Sequence, residues 1–329
     1  MAGDGKPRLP LGPFQGMSTN FEVSIVMSVY DGAADLAVTM DSTLSQEGVD
    51  FEFIVVDDGS TDKTGEILDD YARRDERVRV IHQKNSGLTS ALVRGCDAAR
   101  GEFIARQDAG DISLPGRLKS QVAVLRDRED CVFVSCWTDY VGPNGEFLYT
   151  ARGTGAASSP INMLSPQAEW VDCPTSHPSV MFRAKQYRLC GGYRQDFYFG
   201  QDWDLWYRLS SLGTFCVLQK RLCVCKITSG SISESHKAQQ KRFGELSRKA
   251  LLARQAGLSD QRVLEEARQL LSVRKRSNPK RDRAAANYFV GKCLLDNRNK
   301  AAFGYLLAAV KEYPIHFGAW VNLIRSLFT

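Results

Sequence analysis

The segment FEFIVVDDGSTDKT, residues 51–64, joins an apolar run to a polar cluster and then to the start of a helical pattern. Residues 51–56 are mostly apolar or β-branched, which is typical of a strand buried on both faces of a sheet. A helical pattern follows over 61–74, with its apolar residues on one face. A buried strand that leads directly into a helix predicts a parallel sheet covered by helices on both sides.

The same alternation extends through the first 230 residues. The predicted strands are 23–29, 51–56, 78–82, 102–106 and 131–137. The segments of helical length are 33–46, 61–74, 88–100 and 115–127, and Pro115 opens the last of them. We therefore expect an α/β fold with a Rossmann-like, mainly parallel sheet, in which ligands bind beyond the carboxyl ends of the strands.

The pattern becomes entirely helical after about residue 233. Leu252, Ala286 and Trp320 recur at a spacing of 34 residues, close to the length of a tetratricopeptide unit. We expect residues 21–233 to form the α/β domain and 234–329 a small, basic, tetratricopeptide-like helical region. Residues 1–20 are rich in Gly and Pro and have no apolar core segment, so we expect a flexible arm and not a signal peptide.

Charge is distributed unevenly along the chain. The net charge of +5 combines −6 over residues 1–233 with +11 over 234–329, where 19 Lys and Arg face 8 Asp and Glu. A basic helical region on an acidic body predicts contact with an anionic membrane surface, and a solvated helical face is the alternative. No apolar run reaches the ~18–20 residues of a membrane span.

The nine cysteines have the spacing of neither a zinc site nor a disulfide framework. We expect them to be buried small hydrophobes in a reducing cytoplasm.

Each of the first four predicted strands leads into a polar cluster. The clusters are Ser28–Asp31, Asp57–Asp62, Asn85–Gly87 and Arg106–Asp111. Turns and helix caps use the same residue types, so each cluster taken alone is a weak signal. Parallel strands bring their carboxyl ends to one edge of the sheet, however, and four clusters at one edge predict a binding site.

The ordered motifs resemble glycosyltransferase family 2, the inverting nucleotide-sugar transferases with the GT-A fold. The resemblance covers roughly residues 22–232. It rests on SIVMSVYDG (24–32), FIVVDDGSTDKT (53–64), NSGLTSALVRGCDAARGEFIARQDAGD (85–111), HPSVMFR (177–183), GGYR (191–194) and GQDWDLWYRLSSLG (200–213).

The resemblance implies a nucleotide-sugar donor at the ends of the first two strands. Val29, Tyr30, Asp31, Asp57 and Asp58 would hold the nucleoside, with Asp57 or Asp58 accepting hydrogen bonds from the base or ribose. Among the remaining donor-binding candidates, Arg94 and Arg106 would face the phosphates or form structural ion pairs, and Asp108 would lie beside the diphosphate.

The family's metal motif falls on Asp108-Ala109-Gly110-Asp111. Mg²⁺ or Mn²⁺ would bind there through oxygen ligands and neutralise the leaving diphosphate. Gly110 stands where the family has its principal metal-binding Asp. Three outcomes follow: Asp111 or Asp108 takes over the metal, the metal binds weakly through the diphosphate and water, or the enzyme is degenerate. We expect Asp108 and Asp111 to bind the metal.

The catalytic base of the family falls on Asp202. An inverting transferase needs one carboxylate to take the proton of the acceptor hydroxyl as its oxygen attacks the anomeric carbon. Gln201 replaces the usual Glu, so the pKa of Asp202 should be lower than beside a second carboxylate. The alternative for Asp202 is a first-turn acid that stabilises the helix dipole. Asp204 is interpreted as structural.

His177, Gln201 and Trp203 are the candidates on the acceptor side. His177 leads a strand beside the acceptor site in the family, and a capped loop residue is the alternative. Trp137, Trp170 and Trp203 are candidates for stacking on sugar rings, although burial in the core is the commoner fate of Trp.

These features predict a hexosyltransferase that moves a sugar from a UDP-sugar to an acceptor hydroxyl. We expect it to act in bacterial surface polysaccharide or glycolipid synthesis, on a glycan or lipid-linked acceptor. The expected location is the cytoplasm, at the inner face of the membrane and with no nucleic acid partner. The alternative is a catalytically degenerate module that binds nucleotide-sugars and acts as a scaffold.

Three other classes are disfavoured. MSVYDGAAD has a single Gly where a nicotinamide-dependent oxidoreductase carries Gly-x-Gly-x-x-Gly, and no P-loop Gly-Lys-Ser/Thr is present. The sequence also lacks the membrane spans and the Gln-x-x-Arg-Trp motif of processive polysaccharide synthases. Selection of the sugar would depend on variable loops, notably 141–175.

Overall fold

Four parallel strands form one half of the sheet, in the order β3-β2-β1-β4. They are β1 (Val23–Val29), β2 (Phe51–Asp57), β3 (Val78–His82) and β4 (Phe103–Asp108). The computed structural model describes residues 21–153, 174–227, 237–272 and 278–328. The first three strands end within one residue of their predicted ends. β4 continues two residues beyond the prediction, so Asp108 is its last residue.

Helices cover both faces of these strands, as the alternation predicts. They are α1 (Leu36–Leu44), α2 (Thr64–Arg74), α3 (Leu88–Asp97) and α4 (Arg117–Asp127). Every residue of β2 is buried, because one cluster of apolar side chains lies on each face of the sheet. Because both faces of β2 are covered, its sequence is mostly apolar and does not alternate between apolar and polar residues.

The second half of the sheet is mixed. Its strands are β5 (Ile112–Ser113), β6 (Cys131–Val141), β7 (Phe147–Ala151), β8 (Met181–Arg183) and β9 (Thr214–Lys226). β8 runs antiparallel to both β4 and β6, whereas β9 runs parallel to β6. The short β5 and β7 add antiparallel pairs to β9 and β6. The predicted fold class is confirmed. Every antiparallel pair involves a strand that the strand–helix alternation does not predict.

The cysteines are distributed through the apolar core. Among the described residues they are all free, six are buried, and Cys190 and Cys293 are half-buried. This confirms the interpretation as small hydrophobic residues for the described cysteines. Cys173 lies outside the described residues, as do Trp170, the arm 1–20 and most of the loop 141–175.

Among the described residues, two further helices complete the α/β region and five follow it. The first two are α5 (Ala184–Leu189) and α6 (Gln201–Ser210), and the later five are α7 (Lys237–Gln255), α8 (Gln261–Ser272), α9 (Pro279–Asp296), α10 (Ala302–Glu312) and α11 (Phe317–Arg325). Phe243 of α7 packs on Phe197 and Phe199, just before α6, and α8 joins the same apolar cluster. α9 to α11 share a second core with Leu148 of β7. The domain boundary at 233 and the repeat organisation stay predictions.

No helix in the described ranges is long and apolar enough to cross a membrane.

The contact between α3 and the sheet gives a test of the packing. A Cβ on Gly95 would lie 2.6 Å from Cγ1 of Val26 and 3.2 Å from Cγ2 of Val56. We expect Gly95→Ala to lower the free energy of unfolding by about 1–3 kcal/mol, because the core must move to admit the methyl group.

Gly304 of α10 is the matched control, since a Cβ there meets no atom within 4 Å. Gly304→Ala should raise the free energy of unfolding by about 0.5–1 kcal/mol through helix propensity alone. Urea unfolding midpoints measure both variants. Equal effects of the two substitutions would contradict the packing of α3 on β1 and β2.

Candidate functional site

The carboxyl ends of β1, β2 and β4 meet at one edge of the sheet. In the parallel register Val29 lies beside Asp57, and Ser28 lies beside Asp108. The convergence predicted from the polar clusters is therefore present. Each side chain at this edge has its own set of partners, which decides what it can offer to a ligand.

Asp31 ties the loop after β1 to the loop after β2. Its Oδ1 accepts hydrogen bonds from the N–H of Thr61 at 2.7 Å and the hydroxyl of Thr61 at 3.2 Å. Its own N–H donates to the Ser60 hydroxyl at 3.0 Å, and its φ of 49° is in the left-handed region. Tyr30 is 52% exposed beside it, and the Asp31 charge raises the pKa of its phenol.

Asp57 is buried and paired with a residue that the sequence analysis did not single out. Its Oδ1 accepts from the N–H of Ser60, and its Oδ2 lies 2.9 Å from Nδ1 of His82. Nε2 of His82 lies 3.0 Å from Asp69. Burial favours the neutral acid, but hydrogen bonds from Ser60 and His82 outweigh it and lower the pKa of Asp57.

Asp58 organises the loop between β3 and α3. One carboxylate oxygen accepts from the side-chain amide of Gln83 at 2.6 Å and the N–H of Ser86 at 2.8 Å. The other accepts from the N–H of Gly87 at 2.8 Å. Arg94 is exposed and donates to Gln83 at 3.3 Å. Asp58 therefore positions the loop, and Arg94 is linked to it through Gln83.

Arg106 lies fully buried under the site and holds three parts of it. Its guanidinium donates to Oδ1 of Asp108 at 2.5 Å, to the carbonyl of Val26, and to Nε2 of His177 at 3.3 Å. A buried guanidinium needs such partners to offset its lost hydration. This geometry favours the ion-pair alternative for Arg106 over direct contact with phosphates.

His177 is neutral in this arrangement. Its Nε2 faces the Nε–H of Arg106 and lies 2.6 Å from the hydroxyl of Tyr193. Because arginine can only donate, Nε2 carries no proton. Burial and the charge of Arg106 hold the pKa of His177 well below 6.5.

Asp202 lies in the first turn of α6 and accepts a hydrogen bond from the N–H of Trp203 at 2.9 Å. Burial raises the pKa of its carboxyl to about 6, and the charge of Asp108 adds to this shift while Trp203 and Arg106 oppose it. The neighbouring Gln201 is buried and uncharged at this position. Gln in place of Glu at position 201 was expected to give Asp202 a lower pKa than it would have beside a second carboxylate. Burial nevertheless raises the pKa of Asp202 above its ordinary value.

Asp204 and Trp203 have structural contacts. Asp204 is fully buried and forms ion pairs with Arg194 and with Arg208 at 2.7 Å, which agrees with its predicted structural role. The ring of Trp203 packs edge-on against Trp206 at 5.3 Å between centroids. The predicted acceptor-side roles of His177, Gln201 and Trp203 stay predictions.

The loop after β4 does not form a preformed metal cage. Gly110 has a φ of 93° and donates its N–H to Thr39 at 2.9 Å. Asp111 is buried, which raises the pKa of its carboxyl well above the ordinary value, and its Oδ1 accepts the N–H of Lys226 at 3.0 Å. Across the ranges that the structure describes, no three His, Cys, Asp or Glu side chains are placed to hold a metal ion.

Mg²⁺ and Mn²⁺ prefer several ionised oxygen ligands, and this donor set does not fit them. Asp108 is engaged by Arg106, Asp111 is buried beside a backbone donor, and Gly110 has no side chain. The metal-binding roles expected of Asp108 and Asp111 find no support in this geometry and stay predictions.

Three residues of the candidate site were not predicted from the sequence. His82 lies directly opposite Asp57 in the parallel register, so the strand pairing would have indicated it. Tyr193 falls in the GGYR motif, but nothing in the sequence shows that it reaches His177. Lys226 reaches Asp111 across 115 positions of the chain, which no local pattern reveals.

The comparisons with known proteins agree with this geometry. The family model described as "Glycosyl transferase family 2" matches residues 24–184. Putative glycosyltransferase EpsE of Bacillus subtilis (strain 168) is 32% identical over 201 residues, 60% of this chain and 69% of EpsE. O-antigen biosynthesis glycosyltransferase WbnJ of Escherichia coli is 30% identical over 194 residues, 57% of this chain and 71% of WbnJ.

A solved structure is similar over most of the chain. The crystal structure of S. aureus TarS 1-349 in complex with UDP-GlcNAc has a TM-score of 0.55 and 16% identity. The match covers 93% of this chain and 89% of that one. At this identity the likeness concerns the fold.

The pKa values of two histidines of the site should be shifted in opposite directions. Hydrogen bonds to Asp69 and Asp57 raise the pKa of His82 above 6.5, whereas burial lowers that of His177. At pH 6.5 we expect His82 to be mostly protonated and His177 to be neutral with its proton on Nδ1. Two-dimensional ¹H–¹⁵N NMR of the imidazoles measures both, with His82→Gln and His177→Gln for assignment. A doubly protonated His177 at this pH would contradict the Arg106 contact.

Proposed function

This chain belongs to glycosyl transferase family 2 and is a glycosyltransferase, and we propose that it moves a sugar from a UDP-sugar to an acceptor hydroxyl with inversion at the anomeric carbon. One observation carries the proposal. Arg106 bonds both Asp108, the last residue of β4, and His177. The ring of His177 lies 6.3 Å from that of Trp206, so α6, which carries Asp202 in its first turn, lies at the edge where the parallel strands end. A ligand at this edge would lie between the strand ends and the first turn of α6.

The donor is assigned from the strand ends and from the relatives. The nucleoside would lie along Val29, Tyr30, Asp31, Asp57 and Asp58, and the diphosphate would extend past Asp108. The structurally similar TarS was solved with UDP-GlcNAc, and WbnJ is named for O-antigen biosynthesis. These names support a UDP-sugar donor and a role in surface polysaccharide or glycolipid synthesis.

Asp202 would act as the general base. The acceptor oxygen attacks the anomeric carbon, its proton passes to Asp202, and the bond to the β-phosphate breaks with its electron pair on the diphosphate. A base with a pKa of about 6 is ionised at neutral pH yet basic enough to take a proton as the bond forms. Retention of this carboxylate is the argument against the scaffold alternative, for which Gly110 and Gln201 are the support.

We also propose that the C-terminal helices bind a membrane surface. α11 and the 3₁₀ turn that follows it (Ser326–Phe328) expose a row of apolar side chains at helical spacing. The row consists of Phe317 (81% exposed), Trp320, Val321, Ile324 (56%), Leu327 and Phe328 (86%). We call this row the α11 face. Water contact over such a row is unfavourable, so the α11 face is suited to an apolar environment.

Basic residues lie at one end of the α11 face. An ion pair between Arg283 and Glu312, with 2.9 Å between Nη2 and Oε2, holds the start of α9 against the end of α10. Exposed Lys280, Arg281 and Lys311 therefore lie beside the turn that leads into Phe317. Apolar side chains bordered by cations match an anionic bilayer, which we propose as the occupant of the α11 face.

The base assignment is tested first. We expect Asp202→Asn to abolish sugar transfer and to leave UDP binding unchanged in calorimetry, because the amide cannot accept the proton. In the wild type, kcat/KM should fall as pH decreases through about 6, where Asp202 becomes protonated.

Asp127→Asn, at the end of α4 and away from the site, serves as the control. Transfer by Asp202→Asn at the wild-type rate would refute the assignment. A panel of UDP, GDP and dTDP tests the nucleotide. We expect UDP to bind, and a wild type that does not bind UDP would overturn the proposed function itself.

The membrane proposal is tested with point variants. We expect the wild type to sediment at low salt with vesicles containing phosphatidylglycerol and to remain in solution with pure phosphatidylcholine. Phe317→Ser with Ile324→Ser should reduce the sedimented fraction severalfold. Leu258→Ser, also exposed and in the same basic region, should not. The proposal would be contradicted if the double variant sedimented with the vesicles as much as the wild type does. It would also be contradicted if the two substitutions abolished self-association of the protein and left vesicle binding unchanged.

A further inference from the structure

Lys226 is held at two points in the candidate site. It is the last residue of β9, and its N–H donates to Oδ1 of Asp111 at 3.0 Å. Its ammonium lies 2.8 Å from Oδ1 of Asp35, in the loop before α1. The side chains of Lys226 and Asp35 remain 26% and 37% exposed. The ammonium is thus anchored at the ligand-facing edge and still accessible to solvent.

The ammonium of Lys226 lies close to Gly110, the loop position that has no side chain. A Cβ on Gly110 would lie 3.8 Å from Cβ of Asp35, the partner of Lys226. The φ of Gly110, 93°, disfavours a side chain there. Asp111, the next residue, is bonded to the backbone of Lys226. The loop that does not fit a metal ion therefore has an ammonium group next to it.

Arg106 and Arg94 are poorly placed to neutralise a diphosphate. Arg106 is fully buried and committed to Asp108, Val26 and His177. Arg94 is exposed on the loop that Asp58 organises, and it is bonded to Gln83. Lys226 differs from both because its partner is a half-exposed carboxylate, and exchange of such a pair for a phosphate costs little.

We infer that Lys226 binds the diphosphate of the donor and supplies the positive charge of this site in place of a protein-bound divalent metal. This inference rests on the proposed function. As the bond between the anomeric carbon and the β-phosphate oxygen breaks, the electron pair goes to the diphosphate, and the ammonium stabilises the added charge. Asp35 is the positioning residue that holds the ammonium until the donor arrives.

Calorimetry with UDP and with uridine tests this role. The wild type should bind UDP in EDTA within a few-fold of its affinity in Mn²⁺. Lys226→Ala should weaken UDP binding about ten- to hundredfold and leave uridine binding unchanged, since loss of a charged hydrogen bond affects only the phosphates. Lys226→Arg should retain most of the affinity. Lys220→Ala removes an exposed lysine from the same strand and should have no effect.

Asp35→Asn separates this role from a structural ion pair. It breaks the same pair from the other side, so a purely structural pair would make it behave like Lys226→Ala. We expect Asp35→Asn to bind UDP as tightly as the wild type or more tightly, because the competing carboxylate is gone.

A requirement for Mn²⁺ in wild-type UDP binding, or wild-type affinity in Lys226→Ala, would overturn the inference while leaving the proposed function intact. Absence of both UDP and uridine binding in the wild type would overturn the two together.

Discussion

Burial of the Arg106 guanidinium constrains the whole site. A charge with no contact with solvent must have its partners inside the protein. Here those partners are the carbonyl of Val26 in β1, the carboxylate of Asp108 in β4 and the ring of His177 before β8. Three segments that are distant in the chain are thereby fixed relative to one another. Burial raises the pKa of Asp202, and the charges of Asp108 and Arg106 shift it further in opposite directions, so its proton affinity depends in part on the same arrangement.

The strand–helix alternation predicts the parallel half of the sheet well, because a strand buried on both faces must be apolar throughout. The limits of β1 and β3 agree with the prediction. β8 and β9 were not predicted, for a physical reason. β8 has three residues, too few for any periodicity, and β9 has exposed residues in its middle, where burial gives way to solvent. Their pairing is decided by tertiary contacts, which a single sequence does not display.

Sequence motifs predicted where the candidate site lies more clearly than which role each residue has in it. Asp31, Asp57 and Asp58 lie at the predicted edge, yet each carboxylate accepts a hydrogen bond from the backbone of its own or a neighbouring loop. A motif shows where a carboxylate lies along the chain, but a carboxylate that shapes a loop and one that touches a ligand look the same in sequence. Lys226 and Tyr193 were missed for the opposite reason, since their relevance comes only from long-range proximity.

The first C-terminal helices contact the region around α6. Asp260, just before α8, forms an ion pair with Arg194, which also pairs with the buried Asp204 of α6. Phe243 of α7 covers the aromatic side chains before α6. A descendant that exchanged this tail by recombination would expose those rings and leave a buried acid short of its partner's support. The tail therefore supports the position of α6, the helix that carries Asp202, and a replacement tail would have to supply the same contacts.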